Sequence, residues 1–202
     1  MVAVIAILVT LMTAGVSLMS GTGAQSRKAG ADMLSGMIEQ ARTKAITSRS
    51  HVILAIAEPG DLPSGDERAR IGIFTVETWP DPSTSPLSVK GVLANRWQTL
   101  NTGIAIIPGA VDGLPNPLDQ SEITITYGGT KNLSIKVHAI AFNPRGGLAY
   151  PTGSTPIAMR IAEGNYRGTP KKAEAYERGT DKVISETRLN IGRVTARPYQ
   201  VN

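Results

Sequence analysis

The sequence predicts an α+β fold, in which one long N-terminal helix packs on an antiparallel β-sheet or a small β-sandwich. Two observations favour this fold. The first 26 residues carry no charged side chain, and they lead into a stretch in which apolar residues recur with helical spacing. After Arg49 the pattern changes to short β-rich runs that are separated by turn-forming Gly and Pro.

The N-terminal helix is predicted to continue to about Ser48 as an amphipathic helix. Apolar residues recur there at i, i+3, i+4 and i+7, and charged residues occupy the opposite face. We expect the apolar face to be buried against the strands. Its residues are Leu34, Ile38, Ala41 and Ala45, and their expected partners are Ile53, Ile73 and Phe142.

The uncharged part of this helix is predicted to cross a membrane. A helix of about 20 residues spans the roughly 30 Å hydrocarbon core of a bilayer. Residues 2–20 are therefore predicted to form a membrane anchor. A cleaved secretory signal is an alternative, although no basic residue precedes the apolar run. A membrane anchor that does not continue as a helix into the head is a second alternative, although such an anchor would normally lead into a flexible linker.

Length and composition predict one domain behind the helix. The chain has 202 residues, so residues 1–48 form the helix and residues 49–202 form a β-rich globular head with one core. The absence of cysteine excludes thiol catalysis and cysteine-ligated metal. A net charge of +5 favours contact with phosphates or anionic lipid without requiring it.

The head is predicted to contain about eight short strands and one further helix. Surface loops connect the strands, and no long helical pattern separates them, so antiparallel pairing is expected. The further helix is expected over Thr169–Arg178, with Thr169 as its N-cap and Gly179 after its end. The predicted strands are His51–Ala57, Ile71–Thr78, Arg96–Leu100, Ile104–Ile107, Glu122–Tyr127, Ile135–Phe142, Pro156–Ala162 and Thr187–Ala196.

The sequence contains no recognisable active-site motif. His51 and His138 are the two histidines, and both lie inside strand-like runs, where a structural role is the commoner one. No metal-ligand spacing and no phosphate-binding loop occurs. We therefore predict a protein without catalytic residues, bound metal or cofactor.

Two basic segments are candidates for contact with nucleic acid. Lys171 and Lys172 lie in a segment with interleaved tyrosines, a combination that single-stranded nucleic acid binding uses. Neighbouring acidic residues dilute that segment, and a solvated surface is the alternative. Arg193 and Arg197 lie near the C-terminal end.

Three landmarks resemble the type IV pilin-like proteins, specifically the minor pseudopilins of the GspH and FimT group. The apolar run VAVIAILVTLMTAG leads into a helix end, residues 38–49, and a strand, residues 52–54, that match the group's pattern. IAFNPRGG, residues 140–147, resembles its strand and turn, and IGRV, residues 191–194, its terminal strand. The longer insertions resemble pilin-like cassette proteins of verrucomicrobial type.

The resemblance implies a non-enzymatic structural subunit of a type II secretion or type IV pilus-like filament. The head would lie in the periplasm, and the helix would leave a bacterial inner membrane to pack against other pilin-like subunits. The implied partners are those subunits, the membrane lipid and a secretion substrate. The residues implied in membrane and filament contact are Val4, Ile5, Leu8, Leu11 and Met12.

The N-terminus departs from the family's pattern. The Gly-Phe type processing site of prepilins, where N-terminal methylation follows cleavage, is missing, and so is the glutamate that follows it. We expect the sequence to begin where the helix is already under way.

Two further functions remain as alternatives. A DNA-binding minor pilin would use Arg193, Arg197 and the two lysines, because related proteins that take up DNA end in a Gly-Arg-x-Arg tail. Here the second arginine is displaced to Arg197. The other alternative is a membrane-anchored exported binding domain without a filament role.

Overall fold

A computed structural model describes residues 2–62, 67–81, 87–128, 132–168, 171–178 and 183–201, with the side chains of residues 2–22, 178 and 183 outside the description. One α-helix, α1 (Val2–Ser48), opens the chain. It ends because Arg49 adopts a left-handed conformation with φ of 50°. The strand β1 then begins at Val52.

The rest of the described chain is built from short strands and one short 3-10 helix (Pro117–Asp119). The strands are β1 (Val52–Ala57), β2 (Arg70–Val76), β3 (Ser88–Leu93), β4 (Gln98–Thr99), β5 (Ile104–Ile107), β6 (Ile123–Tyr127), β7 (Leu133–Phe142), β8 (Leu148–Tyr150), β9 (Ile157–Arg167), β10 (Lys172–Ala175), β11 (Glu177–Arg178), β12 (Val183–Ile184), β13 (Glu186–Ile191) and β14 (Pro198–Val201).

Five strands close into a barrel in the order β1-β2-β3-β6-β7, because β7 also pairs with β1. A ring with an odd number of strands cannot alternate in direction throughout, so one pair must be parallel. That pair is β3 and β6. Parallel neighbours need a long crossover, and residues 94–122 supply it.

Alternation along β1 divides its side chains between two hydrophobic layers. Ile53 and Ala55 point into the barrel, where they pack with Phe74. Leu54 and Ile56 point outward into a second layer. The prediction that Ile53 contacts the helix is therefore wrong, since its side chain lies on the barrel's inner face.

A second sheet lies beside the barrel. It has five strands, four of which lie in the order β10-β9-β13-β14. The fifth, β5, pairs with residues 160–163 of β9, and β10 pairs with the next four residues of β9. The crossover between the parallel barrel strands carries β5 into this sheet. The two β-structures are thus linked in the middle of the chain.

The described half of α1 is buried between the barrel and the second sheet. Leu34, Ile38, Ala41 and Ala45 are all fully buried. They share one hydrophobic cluster with barrel residues such as Ile73 and with residues of β9 and β13. Gly30 approaches Ile104 and Ile161 so closely that a Cβ would lie 3.2 Å from the Ile104 side chain.

The predicted α+β fold, a long helix packed on an antiparallel sheet head, is wrong. Strands hold 45% of the residues, five strands close into a barrel, and helix with described side chains amounts to 26 residues, 23–48. Each of the eight predicted runs overlaps an observed strand, whereas local patterns missed six others, β3, β8, β10, β11, β12 and β14. The patterns did not reveal the closure, because it depends on the pairing of β1 with a strand about 80 residues later.

The second predicted helix, Thr169–Arg178, is also wrong. Lys172–Ala175 form β10, and Glu177–Arg178 form β11. Positions 169 and 170 lie outside the described residues. The partner strand decides the outcome here, because β10 pairs with the end of β9 in register from Lys172↔Arg167 to Ala175↔Gly164.

The predicted membrane location is corrected as well. In the described part of the chain, no helix is long and apolar enough to cross a bilayer, so a single-pass inner-membrane anchor is not supported. The side chains of the predicted span, residues 2–20, lie outside the described residues.

Candidate functional site

A charged contact fixes α1 on the second sheet at the point where its described side chains begin. The Arg27 Nη1 atom donates to Glu163 Oε1 at 3.0 Å, and Arg27 Nε donates to Thr187 Oγ1 at 3.2 Å. Glu163 is 5% exposed, so its carboxylate is held in a site where an unpaired charge would be costly.

Gly23 is required by the same contact. A Cβ at this position would lie 2.6 Å from the Glu163 Cδ atom. Because Glu163 is held by Arg27, its carboxylate cannot move aside without breaking the ion pair. We call Gly23, Arg27, Glu163 and Thr187 the helix clasp. It joins α1 to β9 and β13 where the described side chains of the helix begin.

The predicted filament-contact residues precede this clasp. Their backbone belongs to α1, and their side chains lie outside the described residues. They are Val4, Ile5, Leu8, Leu11 and Met12. The predicted helix-to-head residues follow the clasp, and all four are fully buried.

The four predicted nucleic-acid contacts do not form one surface. Ile191, next to the Arg193 turn, pairs with Ile157 at the start of β9, whereas Lys172 pairs with Arg167 at its end. A strand rises about 3.3 Å per residue, so the two ends of β9 are about 30 Å apart. The arginine pair and the lysine pair therefore lie at opposite ends of the second sheet.

The arginine end is a basic surface that the sequence did not reveal in full. Arg42 of α1 donates from Nε to the Thr195 carbonyl at 2.5 Å, so the helix lies beside the turn that contains Arg193 and Arg197. The turn with exposed Arg145 lies beside the same site, because a Cβ at Gly146 would be 3.5 Å from Arg42 Nε. We call Arg42, Arg145, Arg193 and Arg197 the arginine surface.

Within the arginine surface the guanidinium groups differ in availability. Arg193 donates from Nε to the Gly153 carbonyl at 2.7 Å, and burial lowers its pKa. Arg42 is paired with Glu39 at 3.4 Å. Arg145 and Arg197 are exposed. The exposed pair is therefore the part of this surface that is best placed to meet a ligand.

Carboxyl groups lie near both residues of the lysine end. Lys171 Nζ lies 3.2 Å from Glu67 Oε1. Lys172 is exposed and lowers the pKa of Glu58 electrostatically. Burial and the nearby Asp61 outweigh that effect and raise the pKa of Glu58 to about 7. Burial also raises the pKa of Asp61, whose Oδ2 atom accepts from the Glu58 backbone N–H at 2.7 Å.

Both histidines have structural surroundings. The His51 ring stacks on Trp79 with 4.9 Å between centroids, and burial lowers its pKa. His138 lies half-buried on β7 opposite Ile56 of β1. Across the described residues, no group of three or more His, Asp or Glu side chains is placed to hold a metal ion.

Charges on the outer face of the second sheet form a separate network. Glu186 accepts from Arg160 at 2.6 Å and from Arg188 at 2.9 Å, and Arg188 reaches Asp112 at 3.1 Å. Burial acts to raise the pKa of Glu186, but the two arginines outweigh it and lower that pKa. The opposite charges satisfy one another, so this network stabilises the sheet.

Comparison with known proteins adds no relative to this description: no family model, no curated protein and no solved structure matches the chain.

Sequence reasoning missed the helix clasp and half of the arginine surface. Arg27 and Glu163 are 136 residues apart, and no local pattern connects them. Gly23 and the charged pair between α1 and β9 carry a signal only once the strands are placed. The sequence pattern predicts Arg42 on the charged face of the helix and Arg145 in a turn. It does not predict that the two meet, because their convergence depends on how the β13–β14 turn packs.

Proposed function

We propose that the chain is a non-enzymatic structural subunit of a filament of the type II secretion or type IV pilus kind. The observation that carries the proposal is the continuity of α1. Its backbone is helical from Val2 to Ser48. The 21 residues before the clasp extend about 30 Å at 1.5 Å per residue, and they are uncharged.

The attachment of α1 supports a load-bearing role. The half that follows the clasp is fully buried at four positions between the barrel and the second sheet. A force applied to the N-terminal half would therefore act on the shared core and on the clasp. A subunit held in a filament through its helix needs such an attachment, whereas a tethered binding domain does not.

The experiment uses single cysteines, because the chain has none of its own. Leu8→Cys places a thiol in the helix segment proposed to contact neighbouring subunits, and Thr102→Cys places one on an exposed loop of the body. Both proteins are produced in full in their native host and oxidised in intact cells. We expect disulfide-linked copies from Leu8→Cys and none above background from Thr102→Cys. Equal cross-linking of the two variants, or none from either, would refute the proposal.

A second candidate function, binding of DNA, is favoured by the arginine surface. Two exposed arginines, Arg145 and Arg197, converge there with Arg42 and Arg193. The distinguishing measurement is the salt dependence of duplex binding by the double variant Arg145→Ala/Arg197→Ala. Two lost phosphate contacts reduce the slope of log K against log salt by about 1.8.

The matched control for DNA binding removes two charges from the other end of the sheet. Lys171→Ala/Lys172→Ala makes the same change in net charge about 30 Å away. If both double variants lose affinity and salt slope equally, the interaction follows net charge and the arginine surface is not a site.

A further inference from the structure

Two exposed apolar residues lie against the turn that carries Arg145. Val194 is 84% exposed, the highest value for a large apolar residue among the described side chains, and Ile46 is 39% exposed. A Cβ at Gly146 would lie 2.7 Å from the Ile46 Cδ1 atom, and one at Gly147 would lie 2.8 Å from the Val194 carbonyl oxygen. The two aliphatic residues therefore share one face of the molecule with the arginine surface.

The three chain segments that meet at this face carry cations and no acidic residue. Residues 42–50, 143–155 and 191–200 contain three, one and two arginine or lysine residues respectively, and they contain no Asp or Glu. Two carboxylates of α1 contact these segments. Glu39 pairs with Arg42, and Asp32 accepts from the Gln200 side chain. The exposed cations Arg145 and Arg197 thus lie in a region of one predominant sign of charge.

The β13–β14 turn that presents Val194 is held by neighbouring elements. Arg42 Nε of α1 donates to the Thr195 carbonyl. Leu148 N–H of β8 donates to the Arg193 carbonyl at 3.0 Å. A turn fixed on both sides of its exposed residue loses little conformational freedom when it binds a partner. Turns favour Gly, Pro, Asn, Asp and Ser, so local structure does not account for a valine at this exposed position.

We propose that this face binds the surface of an anionic phospholipid bilayer. Val194 and Ile46 enter the boundary between headgroups and hydrocarbon, and Arg145 and Arg197 pair with lipid phosphates. A bilayer offers both an anionic layer and an apolar layer beneath it. A nucleic acid offers phosphates for the arginines, but its backbone has no apolar layer for the two aliphatic side chains.

The contact is peripheral and does not use residues 2–20. Arg42 lies about 22 Å along α1 from Arg27, so the helix clasp is away from the bilayer. The proposal does not rest on the filament function.

The first test labels single cysteines with a fluorophore whose emission shifts to the blue in an apolar environment. The chain has no cysteine of its own. In the full chain, Val194→Cys places a label at the exposed turn, and Thr102→Cys places one on an exposed loop elsewhere in the body. Because the shift is local, contact through another part of the chain leaves the label at position 194 unshifted.

The vesicles contain equal parts of phosphatidylglycerol and phosphatidylcholine, or phosphatidylcholine alone. We expect a blue shift at position 194 with the mixed vesicles, and none at position 102 or with the neutral vesicles. Equal shifts at the two positions, no shift at position 194, or an equal shift with neutral vesicles overturns the proposal.

A matched pair of double variants tests the arginines. Arg145→Ala/Arg197→Ala and Lys171→Ala/Lys172→Ala make the same change in net charge at opposite ends of the second sheet. With the label at position 194, we expect the arginine variant to raise the vesicle concentration at half-maximal shift about 25-fold, since each arginine contributes about fivefold. The lysines lie beyond the Debye length, so their variant changes it less than about twofold. Circular dichroism establishes that both variants fold, and equal changes overturn the proposal.

A pair of threonine variants separates the bilayer from a nucleic acid. Val194→Thr keeps the shape of the side chain and replaces a methyl group by a hydroxyl, and the label moves to the neighbouring Thr195→Cys. We expect vesicle binding to weaken about fivefold and duplex DNA binding to stay unchanged. The control is Val92→Thr, at another exposed valine, which leaves vesicle binding unchanged. Equal effects of the two variants overturn the proposal, and so does a label that responds to duplex DNA but not to vesicles.

Discussion

Replacement of Ile38 by alanine tests how strongly α1 is bound to the β-structure. Ile38 is fully buried in the cluster that α1 shares with the barrel and the second sheet. The change removes three carbon groups, worth about 0.8 kcal/mol each on transfer from water, and leaves a cavity that adds a further cost. We expect the free energy of unfolding to fall by about 3–4 kcal/mol.

The assay is urea unfolding followed by circular dichroism, with Gln40→Ala as the matched control. Gln40 lies on the same helix with its side chain exposed. We expect its replacement to change the free energy of unfolding by less than about 0.5 kcal/mol. A loss below about 1 kcal/mol for Ile38→Ala, or equal losses for the two variants, would show that α1 is not part of the cooperative core.

Three further changes test other features. Glu163→Ala removes the carboxylate that pairs with Arg27 in the clasp, and we expect the free energy of unfolding in urea to fall by about 2–3 kcal/mol; an unchanged unfolding midpoint would show that this ion pair contributes nothing to stability. Arg49→Gly relieves the left-handed φ of 50°, and we expect a gain of about 1 kcal/mol in the same assay; a loss would contradict the strain. The pKa of Glu58 is about 7 in the folded chain and 4.5 in the free group. Between these two pH values the folded chain holds a proton that the unfolded chain has lost, so the stability of the folded chain falls as pH rises from 4.5 through 7. Because Glu58 is only half-buried, we expect a loss of about 1 kcal/mol, and Glu58→Gln should flatten this part of the profile in urea titrations at fixed pH.

Local patterns predicted the elements better than their arrangement. The strand over Ile104–Ile107 was predicted with its observed bounds, because a run of β-branched residues between turn formers has one strong preference. The helix boundary near Ser48 was also visible. The segment Lys172–Ala175 was misread as a helix, since its capping residues suit a helix and only the pairing with β9 makes it a strand.

The candidate sites show the same division. Leu34, Ile38, Ala41 and Ala45 were found from spacing alone, because a helix that packs on a core must bury one face. The sequence predicts the lysine and arginine pairs as possible nucleic-acid contacts in two basic segments, without their relative positions. The register of β9 separates them, because positions close in sequence can lie at opposite ends of a strand.

The sequence by itself determined the helix, the β-rich body and the absence of cysteine chemistry, because periodicity, turn formers and composition act over a few residues at a time. The tertiary structure alone decided the barrel closure, the parallel pair β3–β6 and the helix clasp. Each of these depends on groups that are far apart in the chain and meet only when buried surfaces and strand hydrogen bonds are satisfied together.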